Sequence, residues 1–109
     1  MATVYKILGQ VNPSAATLST LYTVPAANSA IVSTLNICNL GTTGAVFRVA
    51  CRPAGAAIAN THYIAYDTAV PASDTICLTL GVTLGNTDVV SVLANTASVN
   101  FTAFGSEIY

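Results

Sequence analysis

Apolar and polar residues alternate with a period of two over several stretches of this chain. Ala45, Phe47, Val49 and Cys51 fall on one side of an extended segment, with Val46, Arg48, Ala50 and Arg52 on the other. Further along, Ile76, Leu78, Leu80, Val82 and Leu84 oppose Thr75, Cys77, Thr79, Gly81 and Thr83. Such alternation marks half-buried strands with an apolar core face. Thr, Val, Ile and Tyr are frequent throughout, and turn-forming residues recur about every ten positions. The pattern predicts strands near Thr3–Gly9, Leu18–Val24, Ala30–Asn39, Ala45–Arg52, His62–Asp67, Thr75–Leu84, Val89–Ala94 and Ala97–Phe104. The Ala-rich stretch Ala54–Asn60 offers one helical turn at most, being short and close to Pro53 and Gly55.

The expected fold is all-β: a single-domain antiparallel β-sandwich over residues 1–109, jelly-roll-like, with about eight strands. Ala30–Asn39 departs from simple alternation. Ile31, Leu35 and Ile37 share one parity, while Ala30, Val32 and Cys38 share the other. A strand apolar on both faces is either central in its sheet or covered by a second chain. Tyr22-Thr23-Val24-Pro25-Ala26-Ala27-Asn28-Ser29-Ala30-Ile31 also echoes Tyr66 to Ile76, each a strand, a Val-Pro-Ala bend and a strand. Two similar sandwich corners fit this echo, because proline ends a strand by removing a ladder donor.

Charge changes the picture most. Lys6, Arg48 and Arg52 against Asp67, Asp74, Asp88 and Glu107 make the chain only 6% charged, against roughly 25% for an ordinary soluble domain. A small domain has much surface for its volume, so Ala, Val, Thr, Ser and Gly must supply most of it. Such a surface is poorly defended against association. The expectation is a building block covered by copies of itself or by neighbours. A net charge of −1 with three scattered cations argues against nucleic acid as a partner. The apolar fraction of 53% comes in runs shorter than the ~18–20 residues of a spanning helix, so no membrane partner is expected. The N-terminal segment lacks the pattern of a signal peptide, so the expectation is a chain made in the cytoplasm.

Little in the chain can build an active site. His62 is the sole histidine, and strand alternation puts Asp67 on the opposite face from it. A nucleophile–base pair needs both groups together. Asp74 and Asp88 precede strands, where Asp bonds turn backbone; no loop has the acidic density of a calcium site. No catalytic residue, metal or cofactor is expected, and the chain is not expected to be an enzyme. Tyr63 and Tyr66 have opposite parity, so a regular strand would not present both on one side; a core or interface role follows.

An odd cysteine count leaves at least one thiol unpaired within a monomer. If Gly41-Thr42-Thr43-Gly44 closes a hairpin, Cys38 and Cys51 lie near 20 Å apart, beyond the ~7 Å Cα limit for a disulfide. Cys51 shares parity with Phe47 and Val49 and reads as a small buried apolar group. Either all three thiols stay reduced, or Cys77 or Cys38 pairs with a neighbouring subunit outside the reducing cytoplasm. Arg48 and Arg52, on the outer face of one strand, are the candidates for an intersubunit polar contact.

The opening Ala2-Thr3-Val4-Tyr5-Lys6-Ile7-Leu8-Gly9-Gln10, the segment Leu21-Tyr22-Thr23-Val24-Pro25-Ala26 and the closing Phe104-Gly105-Ser106-Glu107-Ile108 resemble small virion structural proteins of tailed bacteriophages. Arg52-Pro53-Ala54-Gly55-Ala56 and Tyr63-Ile64-Ala65-Tyr66-Asp67 fit the same pattern. The resemblance implies an all-β subunit repeated on a virion assembled in the host cytoplasm. The leading expectation is a head decoration or cement protein acting as a homotrimer against the major capsid protein. A neck (collar) or tail ornament, contacting neck or tail proteins, is the close alternative. A receptor- or glycan-binding module is a third, and it requires paired exposed aromatics beside Asp or Asn.

Overall fold

The computed structural model describes residues 2–109, apart from the Leu80 side chain. Leu80, which the alternation places on a core face, therefore lies outside the described residues in that respect. Eight strands form: β1 (Thr3–Val11), β2 (Ser19–Thr23), β3 (Ser29–Asn39), β4 (Ala45–Arg52), β5 (Tyr63–Val70), β6 (Thr75–Leu84), β7 (Val89–Ala94) and β8 (Val99–Ile108). Each matches an expected strand. Short 3₁₀ turns at Pro53–Gly55 and Asn60–His62 flank the Ala-rich stretch.

The strands make two antiparallel four-stranded sheets, ordered β1-β8-β3-β6 (sheet A) and β2-β7-β4-β5 (sheet B). Pairs β1·β8, β2·β7, β3·β6 and β4·β5 describe one long ribbon whose tip is the β4–β5 connection. Rolling that ribbon and closing it through β3·β8 and β4·β7 gives the sandwich. This is jelly-roll order, two interlocked Greek keys. One expectation is corrected. The Gly41–Gly44 segment closes no hairpin, because β3 and β4 belong to different sheets. Of the consecutive strands only β4 and β5 pair, since the ribbon joins each early strand to a late one.

The core lies between the sheets, around Leu35, Ile37, Phe47, Val49, Val92, Val99 and Phe101, all fully buried. Phe47 of sheet B meets Phe101 of sheet A edge-on, with centroids 6.1 Å apart. The two Val-Pro corners are equivalent in topology: each carries the chain from sheet B to sheet A. In each the valine, Val24 or Val70, is buried and plugs an end of the core.

The double-sided apolar pattern of β3 has a local cause. β3 is central in sheet A, between β8 and β6. Its buried positions are Ala30 and Val32, then Leu35, Ile37 and Asn39. The parity inverts at Ser33, where the register against β8 shifts between Val32 and Thr34. A one-residue bulge turns every later side chain to the other face. β1 bulges at the same level, between Ile7 and Gly9, against Phe104 and Ala103 of β8. β6 completes the row with an extra residue near Gly81, whose φ of +65° is left-handed. Along this row the Ile31 carbonyl presses on Gly105, where an added Cβ would also lie 2.9 Å from the carbonyl carbon.

A polar knot closes one end of the sandwich. Asn39 is 1% exposed. Its amide nitrogen donates to the carbonyls of Thr43 (2.9 Å), Val70 (3.3 Å) and Pro71 (3.3 Å). Its carbonyl oxygen accepts from the Gly41 N–H (2.9 Å) and the Ser98 hydroxyl (3.0 Å). One side chain thus joins three connections, and no apolar residue could satisfy those groups.

Two outcomes are expected in urea unfolding. Gly105→Ala destabilises by about 3 kcal/mol, because the bulged β3 backbone cannot retreat from a methyl group; a loss below about 0.5 kcal/mol would show that the row of bulges is soft. Asn39→Ala costs about 2–3 kcal/mol through the buried partners it leaves unsatisfied, and an unchanged midpoint would mean that water replaces the knot.

Candidate interaction surfaces

Within the four strands of sheet A, Lys6 and Glu107 are the only Asp, Glu, Lys or Arg residues. They neutralise each other: Lys6 Nζ lies 2.8 Å from Glu107 Oε1. Glu107 is 6% exposed, turned inward at one end of the sandwich. The Tyr22 hydroxyl, reaching across from β2 of sheet B, donates to its other oxygen. Hydrogen bonds from Lys6 and then Tyr22 hold the Glu107 carboxyl below the usual carboxylate range. Burial, followed by the bond to Glu107, pushes the Tyr22 phenol up.

The outer face of sheet A is therefore left without an unpaired charge, Lys6 at its border being bound to Glu107. Register aligns Tyr5, Ser106 and Ile31 in one row and Ile7, Phe104 and Thr34 in the next. Tyr5 is 84% exposed and Ile7 52%, with Ile31 and Phe104 also open to solvent. A shallow depression of about 530 Å³ runs over these side chains. Towards the other end, the same face carries Asn36, Cys38, Thr75, Cys77 and Asn100. Cys38 and Cys77, the two thiols proposed from sequence for an intersubunit bond, thus share this face. Cys77 is exposed, with its sulfur 3.1 Å from Asn36 Oδ1. Cys51 packs against the core of sheet B, where burial pushes its thiol up. All three cysteines are free.

The outer face of sheet B is built differently. Phe47, Val49 and Ala50 of β4 oppose Thr68, Ala65 and Tyr63 of β5, so β5 takes five steps where β4 takes three. These two bulges bring Tyr63 and Tyr66 together, edge to face with centroids 5.0 Å apart. The parity argument against their meeting is overturned, because β5 is not a regular strand. Asp67, at φ +48°, turns back to grip Arg48. Arg48 Nε donates to Asp67 Oδ1 at 2.6 Å and a terminal nitrogen to Oδ2 at 3.3 Å. The guanidinium carbon lies 4.0 Å from the Tyr66 ring centroid. The hydrogen bonds raise the Arg48 pKa and lower that of Asp67. The sequence signal for this cluster was the missing alternation in Tyr63–Thr68, beside a strand that carries an outward arginine.

The remaining candidates serve the chain itself. Arg52 donates to the carbonyls of Ala56 (2.7 Å) and Gly55 (3.0 Å) and to the Ser91 hydroxyl (3.2 Å), which shapes the turn after β4. Asp88 accepts from the backbone N–H groups of Ala54 and Gly85, each at 2.8 Å, and Asp74 from Thr75 at 2.8 Å. His62 Nδ1 accepts from the Ala59 N–H at 3.1 Å. Among the described residues no three His, Cys, Asp or Glu side chains gather as metal ligands.

The Glu107 network makes stability pH-dependent. Its folded pKa lies below the unfolded value of about 4.3, so its contribution is complete above that pH and is lost as pH falls through the folded value. Glu107→Gln is expected to lower stability at about pH 6 and to shrink the difference between about pH 6 and pH 3. An undiminished difference in urea unfolding would place the acid-sensitive group elsewhere.

Compared with known proteins, the chain matches no protein-family model and no curated protein.

Proposed function

We propose that the chain is a non-enzymatic structural subunit of a tailed-phage virion, a head decoration or cement protein that works as a homotrimer. The observation that supports this best is the outer face of sheet A, an apolar strip of Tyr5, Ile7, Ile31 and Phe104 whose bordering Lys6 is already paired with Glu107. Burying such a face removes apolar area from water without desolvating an unpaired ion. At ~25 cal/mol per Å², about 1,000 Å² per contact offsets a particle's internal pressure before association costs are counted. The mechanism is passive: subunits that span capsomer boundaries add buried area. The jelly roll suits the role, being an architecture of viral capsid proteins, although lectins and cupins share it.

The partners are further copies of the chain and the major capsid protein. A neck or tail ornament uses the same face at lower copy number. Cys38 and Cys77 lie on that face, so contacts made through it bring thiols to a neighbour and permit a covalent staple after release from the host cytoplasm. Arg48, on the opposite sheet, is paired with Asp67 but keeps a side-chain exposure of 27% and offers a second, polar contact, whereas Arg52 donates to Ala56, Gly55 and Ser91.

Light scattering on the purified chain, with and without reductant, tests the proposal. A trimer or larger species is expected, with any covalent linkage lost on reduction. Ile31→Glu, at a position already open to solvent, should yield monomers while leaving the thermal midpoint nearly unchanged. A wild-type monomer at all concentrations, or an Ile31→Glu assembly of unaltered mass, would overturn it. Copy number on particles separates the locations: hundreds for head decoration, tens for neck or tail.

A further inference from the structure

We propose that Tyr63, Tyr66, Asp67, Arg48 and Asn60 form a binding site for one ring of a neutral carbohydrate at the β5 edge of sheet B. This is a ligand site separate from the assembly role, on the opposite sheet from the apolar strip, and it does not rest on that role.

The backbone is bent to make the cluster. The two extra residues of β5 against β4 re-aim side chains that a regular strand would send to opposite faces. Asp67 sits in the left-handed region at φ +48°, a conformation that is strained for a non-glycine residue. What that geometry achieves is a fixed platform. Tyr66 is 55% exposed, held on one side by Arg48 and at its edge by Tyr63, the two rings crossing at 81°. An open depression of about 460 Å³ is lined by Asn60, Tyr63 and Tyr66.

The chemistry selects the ligand class. Arg48 and Asp67 cancel each other's charge through their paired hydrogen bonds, so neither an anion nor a cation gains a free countercharge. A sugar ring has an apolar C–H face that suits an aromatic surface and hydroxyls that suit fixed amide, carboxylate and phenol groups. The depression offers both, the two tyrosine rings with their phenols and the Asn60 amide, and Asp67 and Arg48 adjoin Tyr66. Proline-rich peptides also dock on tyrosines, but along grooves that follow an extended helix. Here one ring is the floor and the other a wall, which suits a single compact unit. A shallow site of this size gives a dissociation constant on the order of millimolar; repetition on a particle would strengthen binding by avidity.

The test is a heteronuclear NMR titration of the full chain with methyl glycosides of glucose, galactose, mannose, rhamnose and N-acetylglucosamine, each to about 50 mM. At least one sugar is expected to give saturable shifts confined to residues near 48 and 60–67. Tyr66→Ala should weaken that binding by about tenfold or more, while Tyr66→Phe, which keeps the ring, stays within about threefold. The spectrum outside the site reports that both variants are folded. No saturable shift from any of the five sugars overturns the proposal, as does binding that persists undiminished in Tyr66→Ala. Shifts at the same residues from an oligoproline peptide alone would assign the cluster to peptide recognition instead, and so also overturn it.

Discussion

The row of bulges across sheet A governs what this molecule shows to its surroundings. Where β1 and β3 each insert a residue against β8, their side-chain parity inverts, and the inside and outside of the sheet are reassigned. Without the insertion at Ser33, β3 would send either Ala30 and Val32 or Leu35 and Ile37 out of the core. With it, both pairs are buried, and Ile31 is left outside beside Tyr5 and Phe104. The same adjustment forces close backbone contact at Gly105, where only glycine fits. Core filling and the exposed apolar strip are thus two results of one irregularity.

Charge is allocated with comparable economy. Sheet A carries two ions, and both are drawn into a network with Tyr22 that ties the two sheets together at one end. The other end is tied by Asn39 with uncharged groups alone. Sheet B carries Arg48 and Asp67 as a neutral pair and turns Arg52 to its own backbone. The result is a domain with one broad, undirected face and one small, directional cluster. A broad face without unpaired charge suits repeated contact with large partners, whereas a fixed aromatic and polar cluster suits a small ligand.

Much of the architecture was legible along the chain because its signals are local. Turn residues and β-branched runs marked all eight strands, and the Val-Pro echo marked two equivalent corners between the sheets. Asp74 and Asp88 read correctly as turn-binding carboxylates. What failed were inferences that assumed regularity or neighbourhood. The Gly41–Gly44 segment looked like a hairpin, yet it crosses between sheets. Tyr63 and Tyr66 looked separated, yet two bulges join them. Asn39 passed unnoticed because nothing in its surroundings in sequence indicates five hydrogen bonds to connections as distant as residues 70 and 98.

By itself, then, the sequence determined the all-β class, the number of strands and the scarcity of charge, since each depends on residue type and short spacing. Only the tertiary structure decided which strands pair, where parity inverts, and which residues share a face. Those outcomes depend on rolling a ribbon whose partners are far apart in the chain. A bulge is a compromise between two such partners, so no single strand encodes it.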